Sequence, residues 1–164
     1  MAKYGDKEFK DMYGIREIRF RGRVQSVCVD VELNMVNVTG TWVYGDLIQD
    51  KVGGDNFYIK KHGSSTLIPV PKETVGEYTG VNAAHCKLYE GDILQKGKRI
   101  FLVTWKDGAF GLENVKTKDF KPFCAMKQKY WEDTFRHVGN TIDNPNLTKI
   151  YANNSIQSKG KKDP

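Results

Sequence analysis

Arg99-Ile100-Phe101-Leu102-Val103-Thr104-Trp105-Lys106-Asp107-Gly108-Ala109-Phe110-Gly111-Leu112 is the stretch that decides the fold. Two runs rich in aliphatic, β-branched and aromatic residues flank an Asp-Gly pair. Glycine adopts positive φ without steric cost, so Asp-Gly between such runs signals an antiparallel hairpin. Ile93-Leu94 and the turn residue Gly97 lie just upstream, and the whole segment reads as a β-meander.

Working outward, the N-terminal half repeats the pattern. Ile15-Arg16-Glu17-Ile18-Arg19-Phe20-Arg21 alternates, with Ile18 and Phe20 expected on a buried face and Arg19 and Arg21 on a polar one. The Val-rich stretch 24–39 reads as a hairpin, and Thr41–Tyr44 and Phe57–Lys61 as strands, with glycine turns between them. Leu67–Val70 contains Pro69 and precedes Pro71, which predicts an edge strand. Residues 72–88 read as a connector with one helical turn at Lys72–Val75. Pro122–His137 is the expected helix, since Phe123, Met126, Tyr130, Trp131 and Phe135 recur at helical spacing. Val138–Ile142 follows as a short strand, and Asp143-Asn144-Pro145 as a turn or helix start.

The expected fold class is therefore mainly β, with small sheets of barrel or meander type and one helix near the C-terminus. The expected organisation is a polar leader (1–14), a β domain (15–151) divisible into subdomains 15–71 and 88–147, and a disordered basic tail (152–164). No apolar run approaches the roughly 20 residues that cross a bilayer, and the charged N-terminus lacks a signal-peptide core. Three widely spaced cysteines argue for reduced thiols rather than a disulfide framework. A cytoplasmic protein is expected.

One unit occurs twice. Trp42-Val43-Tyr44-Gly45-Asp46-Leu47-Ile48-Gln49 parallels Leu88-Tyr89-Glu90-Gly91-Asp92-Ile93-Leu94-Gln95. Tyr44, Gly45 and Asp46 thus correspond to Tyr89, Gly91 and Asp92. The pair reads as two strand openings, glycine making the bend and aspartate capping backbone N–H groups. Two related half-sites are the less economical reading.

No constellation for catalysis or metal binding stands out. His85-Cys86 are adjacent, but neighbours on a strand face opposite ways. The histidines and cysteines lack the paired spacing of a zinc site. Gly97-Lys98-Arg99 is a basic turn, not a phosphate-binding loop. Asp46, Glu90 and Asp92 are the least implausible acidic cluster, assembled only if the two copies stack, and strand-opening caps explain them better. No catalytic residue, metal or cofactor is expected.

The net charge of +6 and pI near 9.1 admit a nucleic-acid partner. Arg16, Arg19, Arg21 and Arg23 cluster on one strand. Lys127, Lys129 and Arg136 add charge on the expected helix, and Lys159, Lys161 and Lys162 in the tail. These are the candidate residues for binding nucleic acid or a protein partner, weighed against the plainer reading of a solvated charged face. A homo-oligomer formed through sheet edges or the late helix is the alternative. No membrane role is expected.

Five segments, in order, resemble the YopX family of phage and prophage proteins. They are Ile15–Gly22, Trp42–Ile48, Glu73–Gly80, Leu88–Ile93 and Val138–Pro145. The leader, the Val-rich stretch 24–40 and the basic aromatic stretch before Val138 depart from the family pattern. The resemblance implies a largely β architecture and a phage or prophage origin in bacteria. It implies no enzymatic activity, since the family has no established one, and no site residues carry over.

Overall fold

The computed structural model describes residues 17–25, 28–31, 34–37, 40–52, 54–83, 86–126 and 134–153. The strands are β1 (Phe20–Arg23), β2 (Cys28–Val31), β3 (Asn34–Asn37), β4 (Trp42–Asp50), β5 (Asn56–Lys60), β6 (Leu67–Val70), β7 (Gly76–Ala83), β8 (Cys86–Tyr89), β9 (Asp92–Lys96), β10 (Arg99–Lys106), β11 (Ala109–Asn114), β12 (Phe120–Pro122) and β13 (Arg136–Asn140). A helix, α1, spans Pro145–Asn153. One antiparallel sheet runs β6-β5-β4-β1-β7-β8 and another runs β12-β11-β10-β9-β13, while β2 and β3 pair as a hairpin. The two sheets are open, not closed into a barrel.

The deciding stretch forms the hairpin β10–β11. Lys106 stands opposite Ala109, and Asp107 and Gly108 both take positive φ (53° and 79°). Positive φ at both central residues lets the turn follow the right-handed twist of the strands. At the far end of the first sheet, β6 is an edge strand, so Pro69 withholds no N–H that the ladder needs.

Three hydrophobic clusters hold the sheets. Val24, Val43, Phe57, Ile59, Ile68 and Val70 form the core of the first sheet. Ile93, Ile100 and Val115 form another, against Leu102, Val138 and Leu147 of α1. The third joins the sheets: Ala83 and Leu88 pack with Leu94, Val103, Phe110, Leu112, Phe123 and Phe135. Ile93 and Leu94 are adjacent on β9 and both fully buried, so they project to opposite faces and enter different clusters. The second sheet is thus apolar on both sides.

Two expectations are corrected. Residues 72–88 contain the anticipated helical turn (Lys72–Thr74), but most of the rest is β7 and β8. Gly76, which read as a loop residue, serves close approach: opposite Arg21, a Cβ there would lie 2.7 Å from the Glu90 carbonyl oxygen. The helix expected at 122–137 is replaced at both ends. Pro122 closes β12, Phe123–Ala125 make one 3-10 turn, and Arg136–Asn140 form β13. Residues 127–133 lie outside the described residues. Phe123 and Phe135 do enter one core together, but by tertiary packing, which helical spacing alone cannot distinguish from a helix face. The described helix starts instead at Pro145, where the fixed φ of proline suits a first turn.

The duplicated unit is put to two uses. Gly91 sits in the β8–β9 turn with φ 85°, and buried Asp92 accepts the Tyr89 N–H at 2.8 Å, so the second copy opens a strand as read. Gly45 lies inside β4, where a Cβ would overlap the Lys60 carbonyl oxygen, and Asp46 is exposed. The first copy opens nothing.

Candidate functional site

β1 lies between β4 and β7, so both its edges are paired. The expected two-faced pattern is partly reversed. Ile18 is exposed, whereas Arg21 retains only 6% of its accessible surface. Its guanidinium lies between two rings, 4.6 Å from the Trp42 centroid and 5.0 Å from that of Tyr89. Its Nη2 meets Asp92 Oδ1 at 2.7 Å and donates to the Glu90 carbonyl at 3.1 Å. His137 Nε2 approaches the same Asp92 oxygen at 3.3 Å. A buried carboxylate needs such partners, because desolvation of a lone charge costs several kcal/mol, roughly.

The flanking arginines are engaged as well. Arg19 contacts Glu17 at 3.4 Å, and Glu17 also holds Lys87 at 2.6 Å. Arg23 Nε meets Asp143 Oδ1 at 3.1 Å and the Gly40 carbonyl at 3.3 Å. Asp143 Oδ2 accepts from Trp42 Nε1 (2.7 Å) and Asn140 Nδ2 (2.8 Å). Burial alone would raise the Asp143 pKa. The hydrogen bonds from Asn140 and Trp42, with the charges of Arg23 and Arg21, more than offset it and hold the carboxyl below its usual value.

A pH dependence follows from that shift. The folded pKa of Asp143 lies below the unfolded one, so its contribution is complete at neutral pH and fades as pH falls through the acid range toward the folded value. Urea unfolding at pH 7 is expected to show a loss of stability for Asp143→Asn, and the gap from wild type is expected to narrow below about pH 4. A gap independent of pH would contradict the ionic role.

Arg21, Trp42, Thr74, Asp92 and Asp143 each come from a different one of the five segments that carry the family resemblance, and they meet at the junction of the two sheets. Arg21, Trp42 and Thr74 line a cleft there of about 240 Å³, with Glu90, Thr104 and Thr141. Burial, and then the Glu77 charge, raise the Glu90 pKa against a hydrogen bond from the Trp105 backbone. Arg21 is tied to Asp92 and Arg23 to Asp143, and the junction reads as an internal clasp.

The other sequence candidates divide as follows. Asp46 is exposed on β4 while Asp92 lies beneath Arg21, so the acidic cluster is not assembled around these two. The Cys86 thiol points to the Ala83 carbonyl at 3.0 Å, and burial followed by the Asp92 charge raises its pKa, which suppresses the thiolate. Among the described residues no group of three or more His, Cys, Asp and Glu side chains could hold a metal ion. No helix of the described residues is long and apolar enough to cross a membrane. Arg16, Lys127, Lys129 and His85 lie outside the described residues. Arg136 is exposed on β13 and donates to Gln95 Oε1 at 2.7 Å.

A second hollow, of about 380 Å³, opens on the five-stranded sheet. Phe101, Leu112, Phe120, Met126 and Phe135 form its apolar lining. Lys96, Arg99 and Lys121 stand around it, with Asp119 as the carboxylate among the lining residues. Sequence reading passed over this surface. The signal was present: Arg99 and Phe101 alternate on β10, and Phe120 and Lys121 adjoin on β12, but β12 itself was not anticipated.

No curated protein matches the chain. A family model described as YopX protein matches residues 6–149, which is most of the sequence, and the protein belongs to the YopX family.

Proposed function

We propose that this protein is a non-enzymatic binding module, acting in the cytoplasm of a bacterium that carries a phage or prophage, and that it engages an anionic partner through the groove on the five-stranded sheet. The observation that supports this reading is the groove itself. Three basic residues surround an aromatic floor, against one carboxylate. The arginine-rich first strand is a poorer candidate, since Arg19, Arg21 and Arg23 already face internal carboxylates. A phosphate or carboxylate ligand would have to displace those partners.

Heparin, used as a generic polyanion, tests the reading. Wild-type protein is expected to be retained on a heparin column and eluted by salt. Arg99→Glu/Lys121→Glu is expected to abolish most of that retention. Lys60→Glu/Lys61→Glu, with the same change of net charge on exposed residues at the end of β5, is expected to leave most of it. Equal losses in the two variants would assign retention to net charge and overturn the groove.

A further inference from the structure

We infer that this groove takes an acidic segment of another protein, with an apolar side chain seated on Phe101, Leu112 and Met126 and carboxylates on either side of it held by Arg99 and Lys121. The inference rests on the groove being an anion-binding surface, as proposed above.

Strand register sets the layout. Residues directly opposite one another in neighbouring strands share a face of the sheet. Lys96 stands opposite Arg99, Val103 opposite Leu112, and Leu112 opposite Lys121. Phe101 lies midway between Arg99 and Val103 on β10, so all these side chains rise from one face. Phe120 stands opposite Glu113 and turns its ring to the other face, where a Cβ on Gly111 would meet it at 2.7 Å. The floor is therefore made by Phe101 and Met126, both half-buried, and by buried Leu112. Phe135, itself buried, packs edge-on against Phe101 at 5.4 Å and fixes that ring. The flexible thioether of Met126 adapts to the shape of an incoming side chain.

The cations stand at two ends of that floor. Arg99 and Lys121 are exposed and lie two strand spacings and four residues apart, about 16 Å between Cα positions. Lys96 joins the Arg99 end, 5.7 Å from the centre of the Phe135 ring. Phe101 and Leu112 lie between the ends. Asn114, beside them, has its Oδ1 occupied by the Lys116 and Thr117 backbone N–H groups, and Asp119 accepts the Thr117 hydroxyl at 2.6 Å. A ligand that complements this surface is anionic at both ends and apolar in the middle. A polypeptide can place a carboxylate, an apolar side chain and another carboxylate in that order. A nucleic-acid strand cannot, since every nucleotide brings a phosphate, and its middle phosphates would lose water over an apolar floor. A small anion with one charged head reaches one end only. The chain's own net charge of +6 favours a partner of opposite sign over a second copy.

Fluorescence anisotropy with the labelled hexapeptide EELFEE, which when extended spans about 16 Å between its end residues, decides the matter. EESSEE keeps the charges and loses the apolar centre; KKLFKK keeps the centre and reverses the charges. EELFEE is expected to bind most tightly, EESSEE roughly 10- to 150-fold more weakly, and KKLFKK not at all. Arg99→Gln and Lys121→Gln change exposed side chains, and each is expected to weaken EELFEE about 2- to 5-fold. Lys60→Gln, on exposed β5, is expected to leave it unchanged. Met126→Gln is expected to weaken EELFEE and to leave EESSEE as it was. Thermal melting checks that this variant folds, and the comparison of EELFEE with EESSEE on wild-type protein needs no variant. Equal affinity for those two peptides overturns the apolar seat. A loss in one of Arg99→Gln and Lys121→Gln without the other overturns the two-ended grip. Oligothymidylate bound more tightly than EELFEE overturns the choice of polypeptide. A protein retained on heparin through the groove that ignores every peptide overturns the inference while the reading beneath it stands.

Discussion

Arg21→Ala is expected to cost about 3–5 kcal/mol in urea unfolding at pH 7, a large fraction of the stability of a chain this size. Asp92 is 1% exposed, so removing its guanidinium partner leaves a carboxylate in the junction with the His137 imidazole as its remaining side-chain contact at 3.3 Å. The substitution also withdraws a planar group from between Trp42 and Tyr89 and leaves the Glu90 carbonyl without that donor. Arg21→Met/Asp92→Asn is expected to recover most of the loss. Methionine fills the space between the rings, and asparagine removes the charge while keeping an oxygen for the Tyr89 N–H. Arg23→Ala breaks a pair about a third exposed and is expected to cost about 0–1 kcal/mol for the ionic contact. Costs of similar size for Arg21→Ala and Arg23→Ala would show that the junction is solvated and the clasp unimportant.

Leu88→Ala is expected to cost about 2–5 kcal/mol, and to do so in both sheets at once. Leu88 belongs to β8 of the first sheet, yet it is fully buried in the cluster it shares with Leu94, Val103 and Phe110 of the second. Hydrogen exchange read separately at β4–β5 and β10–β11 measures the effect on each sheet. We propose that the sheets form one cooperative unit, so protection in both is expected to fall together. Loss at β10–β11 with β4–β5 untouched would instead restore a division into independent subdomains near 15–71 and 88–147.

Much of the architecture was legible because it is local. Asp107-Gly108 announced the β10–β11 turn, Pro69 announced an edge strand, and valine-rich alternation announced the β2–β3 hairpin. Each depends on backbone preferences of a few consecutive residues. The misreadings share a different cause. Gly76 reads as a loop residue unless Glu90 is known to pass against it. Phe123 and Phe135 read as one helix face because two residues destined for one core are spaced alike by chance.

The candidate site was legible only in part. The arginines of the first strand were visible, but Asp92 and Asp143, the carboxylates that hold Arg21 and Arg23, lie on distant segments of the chain, so an engaged charge looked like a free one. The groove needed β10, β11 and β12 side by side before Arg99, Phe101, Phe120 and Lys121 could be seen as neighbours.

By itself the sequence determined a β-rich chain, its principal turns and its family pattern, because φ/ψ preference and period-two alternation act between residues close in the chain. Only the tertiary structure decided which charges are buried, that the two sheets share a core, and which basic and aromatic residues surround one hollow. Those outcomes depend on desolvation and contact between strands distant in sequence, and no local pattern encodes them.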